Sequence, residues 1–179
     1  MNKLISYVAF LSAVFLSINP ICAQYESGGF GGFYIQLMNF GSAGFGVANG
    51  GLGGAIFRES GFIGGFGFGG TSTKQNKTVN LGYGGIFGGA RVEISNNHKL
   101  AFGSRLGLGA LSNVAIDENG DKTIISNRFV RLEPNVIYDY QIIDNFHFQI
   151  QVGYSFNLIG NLKRFDTTYM SLGFMMGMF

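Results

Sequence analysis

Tryptophan is absent from this chain, cysteine occurs once, proline and histidine twice each, and charged residues fill only 12% of the 179 positions. Each shortage removes a class of protein. The single cysteine, Cys22, can form neither an intrachain disulfide nor a thiolate metal centre. Twelve Lys and Arg against ten Asp and Glu leave a formal charge of +2, and no basic run exceeds Lys163-Arg164. The aromatic residues alternate with glycine rather than with Lys or Arg, so the electrostatic footprint of a nucleic-acid binder is missing. Past the N-terminal segment there is no apolar run of about 18 residues, the length that marks a spanning helix. If this chain enters a membrane it must do so as a closed sheet, because only helices and closed barrels satisfy their backbone there.

The first residues read as an export signal. Lys3 precedes an apolar run from Leu4 to Ile18, Asn19-Pro20 ends it, and Ile21-Cys22-Ala23 offers a small residue before Gln24. The run is short for a spanning anchor, which needs about 20 apolar residues. Cleavage between Ala23 and Gln24 is expected, with residues 1–23 the signal peptide and 24–179 the folded domain. Lipid attachment at Cys22 would want a small residue before the cysteine, and Ile21 fits poorly. Cleavage after Ala23 leaves a mature chain without cysteine.

What the chain has in quantity is glycine, 30 residues, and aromatic side chains, 19 Phe and 8 Tyr. Most glycines fall between Gly28 and Gly89, many as doublets such as Gly50-Gly51, Gly53-Gly54 and Gly84-Gly85. A flexible linker would be rich in Ser and Pro and poor in aromatics. This segment instead interleaves Phe30, Phe33, Tyr34, Phe62, Phe66, Phe68, Tyr83 and Phe87 among the glycines, which argues for folded strands. Glycine weakens a strand, so it needs a reason such as a bulge or a close backbone approach. The lumen of a narrow barrel, with room for few large side chains, supplies one.

The clearest periodicity runs from Phe146 to Leu158. Phe146, Phe148, Ile150, Val152, Tyr154, Phe156 and Leu158 alternate with His147, Gln149, Gln151, Gly153, Ser155 and Asn157. Side chains of a strand alternate between faces, so this is a ribbon with one apolar side. It is longer than the usual soluble strand of about 5–6 residues and matches the roughly 9–11 tilted residues of a bilayer-crossing strand. Turn signals divide the chain into eight such stretches, near residues 29–39, 43–57, 62–73, 78–94, 100–115, 128–141, 146–157 and 167–179. The expected fold class is therefore all-β, a single antiparallel up-and-down barrel with both termini at one end. The longest linker, Ile116 to Asn127, falls at the opposite end. Pro134 cannot donate to a ladder and predicts a bulge or a local break in its strand.

The few charges gather on the polar faces. Arg131, Glu133, Asn135 and Asp139 share one face of the sixth stretch, with Ile137 as the apolar exception. Arg91 and Glu93 oppose Val92 and Ile94, and Arg105 opposes Phe102, Leu106 and Leu108. If the apolar faces meet lipid, Arg91, Arg105 and Arg131 point inward and must pair with Glu93, Glu133 and Asp139, joined by Gln149 and Gln151. Eight strands leave a lumen just wide enough for side chains, so a structural plug is the expected outcome and a selective channel the rival. The soluble alternative is a periplasmic or secreted barrel that buries the Phe face and binds a small apolar ligand. Its exterior would normally be about 25% charged or more, against 12% charge in the whole chain.

Catalysis and cofactors find little support. His147 and Ser155 lie on one strand about 26 Å apart, far beyond the roughly 3 Å that a nucleophile and its base require. Asp117-Glu118-Asn119-Gly120-Asp121 alternates acidic oxygens as calcium loops do. An EF-hand wants Gly and Glu at its sixth and twelfth positions, where this chain has Lys122 and Arg128. A solvated turn is the better account, and no cofactor or metal is expected.

The export signal, the strand periodicity and the terminal Phe179 together resemble the small outer-membrane β-barrels of the OmpA and OmpX kind. The Gly-Gly-Phe-Gly-Gly, Gly-Gly-Leu-Gly-Gly and Ile-Gly-Gly-Phe-Gly-Phe-Gly blocks, followed by Leu132-Glu133-Pro134, are similar to a group of glycine-rich exported barrel proteins. The resemblance spans Gly28 to Phe179. It implies outer-membrane lipid as surroundings, recognition of the last strand by the barrel-assembly machinery, and no catalytic residue.

Overall fold

A computed structural model describes residues 28–40, 44–58, 60–74, 77–116, 122–159 and 166–177. The signal segment, Cys22, the acidic stretch 117–121 and Phe179 lie outside these residues. The described chain forms eight antiparallel strands closed into one barrel: β1 (Gly28–Asn39), β2 (Phe45–Phe57), β3 (Gly61–Lys74), β4 (Lys77–Ser95), β5 (His98–Ile116), β6 (Lys122–Ile143), β7 (Phe146–Ile159) and β8 (Thr167–Gly177). Each strand pairs with its sequence neighbour, and β1 closes on β8 with Phe33 opposite Phe174. Closure removes every sheet edge, which is how such a barrel escapes edge-to-edge association.

The largest difference from the expected boundaries is in β6. It begins at Lys122, so most of the predicted Ile116–Asn127 linker is strand. Thr123, Ile124 and Ile125 are β-branched and pair with Ala115, Val114 and Asn113, which carries β6 past β7, whose pairing with it ends at Val130–Ile159. Pro134 produces a break and not a bulge. The β6–β7 ladder skips from Leu132–Phe156 to Asn135–Gly153 without changing register, while Ser104 still faces Pro134 from β5. The missing N–H thus costs pairing on one side of the strand only.

Alternation decides which side chains enter the lumen. In β7, His147, Gln149, Gln151 and Ser155 are buried, whereas Val152, Tyr154, Phe156 and Leu158 are exposed on the outer wall. The polar face is the inner one, which removes the soluble arrangement in which the Phe face formed the core. Outward Phe102, Leu106, Leu108, Val136, Met170, Leu172 and Phe174 extend the apolar wall over β5 to β8. Phe174 meets both Phe146 and Phe148 near one end of it, and Tyr154 meets Phe156 near the other. Eight residues of a strand tilted by about 40° separate these two aromatic bands by roughly 20 Å along the barrel axis, close to the apolar band of an outer-membrane barrel.

The glycine-rich strands β1 to β4 follow a different rule. Here many large rings turn inward: Tyr34, Phe62, Phe66, Phe68, Tyr83 and Phe87 are all buried, while Phe33 and Phe45 face outward. Nearly every inward ring sits directly across the ladder from a glycine. Tyr34 faces Gly173, Phe62 faces Gly89, Phe66 faces Gly85, Phe68 faces Gly50, Phe87 faces Gly64 and Tyr83 faces Gly109. At Gly50 an added Cβ would lie 2.8 Å from the Phe68 ring and run into the backbone of Gly67. The vacant cross-strand position is filled by the ring, so the pair packs as one large and one small residue. The outward glycines are different in kind. Gly67 and Gly82 would place a Cβ in open space, so the outer wall of β3 and β4 is thin by composition and not by crowding.

Candidate functional site

The inner faces of β1 and β4 to β8 bring a polar cluster to the middle of the lumen, walled by the rings of β3 and β4. Its hub is the Glu133 carboxylate of β6. Arg105 Nε on β5 lies 3.0 Å from Glu133 Oε2, and Arg131 Nη1 lies 3.7 Å from Oε1. Ser155 Oγ on β7 donates to Oε1 at 2.6 Å, and the Tyr83 hydroxyl approaches both oxygens at 3.3 Å. Arg105, Arg131 and Glu133 are each only 1% exposed, so these charges are removed from water. Such groups are tolerable only when paired and hydrogen-bonded.

The two guanidinium groups also lie over aromatic rings. The Arg105 guanidinium carbon lies 4.5 Å from the Tyr169 ring centre and 5.0 Å from that of Phe68; the Arg131 carbon lies 4.8 Å from that of Phe129. Desolvated cation–π contacts of this kind are worth up to about 2 kcal/mol each. Gln36 of β1 ties the cluster across the barrel closure. Its Oε1 accepts from Arg105 Nη2 at 3.1 Å and from Ser171 Oγ at 3.2 Å, while its Nε2 donates to the Tyr83 hydroxyl at 3.2 Å.

A second cluster lies nearer the end that carries the termini. His147 Nδ1 meets Asp139 Oδ1 at 2.6 Å, and Gln149 Nε2 donates to Asp139 Oδ2. The Tyr34 hydroxyl donates to Gln149 Oε1 at 2.6 Å, and Gln151 Nε2 reaches the same oxygen at 3.4 Å.

The structure therefore unites Arg105, Arg131 and Glu133 in one group, and Asp139, Gln149 and Gln151 in another. Arg91 stands at the rim. Glu93, expected inside, is exposed: β3 pairs with β4 only as far as Ala90, and the β4–β5 hairpin continues past the rim, where Glu93 faces Lys99 across the ladder. The charge pattern alone could not reveal that overhang. Sequence reading also left out Tyr34, Gln36, Tyr83, Ser171 and the inward rings. The available signal was local: Gln36 stands alone among outward Ile35 and Leu37, and each ring of β3 and β4 alternates with glycine. Ser155 donates to Glu133 while His147 pairs with Asp139, so the two are held in separate clusters. Among the described residues no group of three or more His, Cys, Asp or Glu could hold a metal ion.

Architecture and wall together define a class: the small eight-stranded, all-antiparallel barrel of the outer-membrane type. No protein-family model and no curated protein matches the sequence. Solved structures do. Neisserial surface protein A aligns over 84% of this chain and 96% of its own, at 15% identity with a TM-score of 0.65. The N-terminal β-barrel domain of Pseudomonas aeruginosa OprF covers 86% of this chain and 99% of its own, at 11% identity and a TM-score of 0.55. Ail, the attachment invasion locus protein of Yersinia pestis, covers 84% and 97%, at 12% identity and a TM-score of 0.51. At these identities the likeness is one of fold.

Proposed function

We propose that this chain is a non-enzymatic integral outer-membrane barrel, exported by a signal peptide cleaved after Ala23, whose lumen is closed by its own side chains. The observation that carries this reading is the inversion of polarity across the wall of β5 to β8. Large apolar side chains face outward between two aromatic bands, while Arg105, Arg131, Glu133 and Asp139 face inward. A charged pair inside and an uncharged belt outside is the arrangement expected where lipid is the solvent. The partners are then outer-membrane lipid and, for the C-terminal strand, the barrel-assembly machinery. The role is structural, or one of surface contact through the connections at the end opposite the termini.

The deciding experiment separates membranes from soluble fractions and compares boiled with unboiled protein on detergent gels. Membrane association, a heat-dependent mobility shift and an intact mass starting at Gln24 are expected. Recovery in the soluble fraction without any mobility shift would sink the proposal. Planar-bilayer recordings of the same sample should show no steady conductance, and large stable channels would refute a closed lumen. Val136 faces outward between the aromatic bands and is 42% exposed. Val136→Arg should cost about 2–4 kcal/mol of stability in bilayers, whereas the same change on a soluble barrel's surface would be nearly neutral. Urea titration in phospholipid vesicles measures it.

A further inference from the structure

The strands do not all end at the same height. At the end opposite the termini, β1 and β2 pair only as far as Asn39–Phe45, whereas β3 and β4 continue to Lys74–Lys77 and β5 and β6 to Ile116–Lys122. The outer face of this four-stranded extension carries a polar row. Thr71 of β3 faces Asn80 of β4, Asn80 faces Ser112 of β5, and Ser112 faces Ser126 of β6. All four turn outward, because Ser72, Leu81, Leu111 and Phe129, at odd spacings from them along the same strands, are buried. Strands lie about 4.8 Å apart, so the row spans roughly 14 Å. None of its side chains makes a hydrogen bond among the described residues. The row is one-sided. Across the barrel the outer wall at this end carries large apolar side chains, among them Leu37, Val47, Phe45 and Leu158.

Three chemistries follow one another along the outer face of β5 and β6. Leu108 faces Val130 in the apolar wall, Ala110 then faces Arg128, and Ser112 then faces Ser126. Arg128 is exposed and has no ion-pair partner among the described residues. Beyond the row Val114 faces Ile124, so the surface turns apolar again and the polar facet is bounded. The acidic residues Asp117, Glu118 and Asp121 are five or more residues along the chain from Ser112 and Ser126. Hydroxyl and carboxamide groups both donate and accept, as the hydroxyls of a sugar do. A guanidinium fork matches the oxygens of a phosphate. Below Asn80 and Ser112 on the same face stand only Gly82 and Ala110, so no large side chain holds a sugar ring away from the row. The sequence apolar, cationic, hydroxylic is that of acyl chain, phosphate and sugar.

We propose that the outer face of β3 to β6, just past the apolar wall, binds the headgroup of a phosphorylated glycolipid of the outer leaflet. Its acyl chains lie on Leu108 and Val130, Arg128 holds a phosphate, and the sugar lies along Thr71, Asn80, Ser112 and Ser126. The inference rests on the outer-membrane reading and deepens it by naming the lipid and the side of the barrel that meets it. A free sugar phosphate would meet the same polar row. Only an amphiphile also uses the continuity of that row with the apolar wall on the same two strands.

The test places the full barrel, labelled at its backbone amides, in phosphatidylcholine nanodiscs and adds lipid A, an acylated glucosamine disaccharide with two phosphates. Phosphatidylglycerol and soluble glucosamine 1-phosphate are the comparisons. Saturable NMR shifts at Thr71, Asn80, Ser112, Ser126 and Arg128, with little change at Leu37 and Val47, are expected from lipid A. In native mass spectrometry the barrel should retain lipid A at least about tenfold better than phosphatidylglycerol, which has chains and a phosphate but no sugar. Arg128→Gln should weaken that retention several-fold, and the double variant Asn80→Leu, Ser112→Leu should remove the advantage over phosphatidylglycerol. Equal retention of the two lipids, shifts spread evenly around the wall, or the same shifts from glucosamine 1-phosphate alone would overturn the proposal. Those comparisons use native protein and stand even if a variant fails to fold. A barrel that inserts into phosphatidylcholine with its heat-dependent mobility shift, yet shows no preference, refutes the glycolipid site and leaves the outer-membrane reading intact. Failure to insert at all refutes both.

Discussion

Glu133→Gln is expected to destabilise the barrel by about 3–5 kcal/mol, the usual cost of removing one partner from a buried ion pair. The substitution keeps the side-chain shape and leaves one acceptor oxygen for Ser155 and Tyr83, so packing is preserved. What it removes is, among the described residues, the only carboxylate within ion-pair distance of both Arg105 and Arg131, which are 1% exposed and cannot recover the loss from water. The two guanidinium groups then repel each other in a low-dielectric interior. Adding Arg105→Met to Glu133→Gln should recover part of the loss, because it removes one of the two like charges and leaves an apolar chain against the Phe66 and Phe68 rings. Urea-unfolding midpoints in phospholipid vesicles measure both steps. A Glu133→Gln variant within about 0.5 kcal/mol of the native barrel would mean that the carboxylate does not hold the cluster, since that is the range of an ordinary surface change.

A comparably large effect is expected at glycine, and its sign depends on the face. Gly50→Val places its branches where the Phe68 ring and the backbone of Gly67 already stand. Overpacking commonly costs about 1–3 kcal/mol, and a clash with backbone, which cannot rotate away, should reach or exceed that upper figure. Loss of the heat-dependent gel shift is the extreme outcome. Gly67→Val is one strand away, faces outward and meets nothing within 4 Å. It should be neutral or stabilising by about 0.5–1 kcal/mol, because a β-branched residue suits a strand better than glycine does. Equal losses at the two positions would refute the ring-to-glycine pairing as the packing rule of β1 to β4.

The strand pattern was legible from residue order because its cause is local. From Phe146 to Leu158 every second residue is apolar, and no helix can present such a pattern on one face. The barrel followed from eight such stretches, and the inward direction of Arg105, Arg131 and Glu133 followed from their position opposite Leu106, Leu132 and Val130. The glycine-rich half was not legible in this way. With glycine on both faces of β3, alternation puts Phe66 and Phe68 opposite Ile63 but does not say which face is inward, and it is the ring face. Reading those glycines as space for a crowded lumen was right for Gly50 and Gly64 and did not apply to Gly67 and Gly82, whose faces are turned the other way. Glu93 showed the same limit from another direction, since its alternation was correct while its height along the barrel placed it beyond the rim.

The sequence by itself determined an all-β chain of eight two-faced strands, poor in charge, with Arg105 of β5 and Arg131, Glu133 and Asp139 of β6 on the polar faces. Periodicity and composition act residue by residue, so those properties need no knowledge of the partners. Only the tertiary structure decided that the rings of β3 and β4 share the lumen with the ion cluster and that Gln36 joins Arg105 to Ser171 across the closure. Those outcomes depend on the register in which distant strands meet. In the glycine-rich half that register sets inward rings opposite glycines on the next strand, and no single strand carries that information.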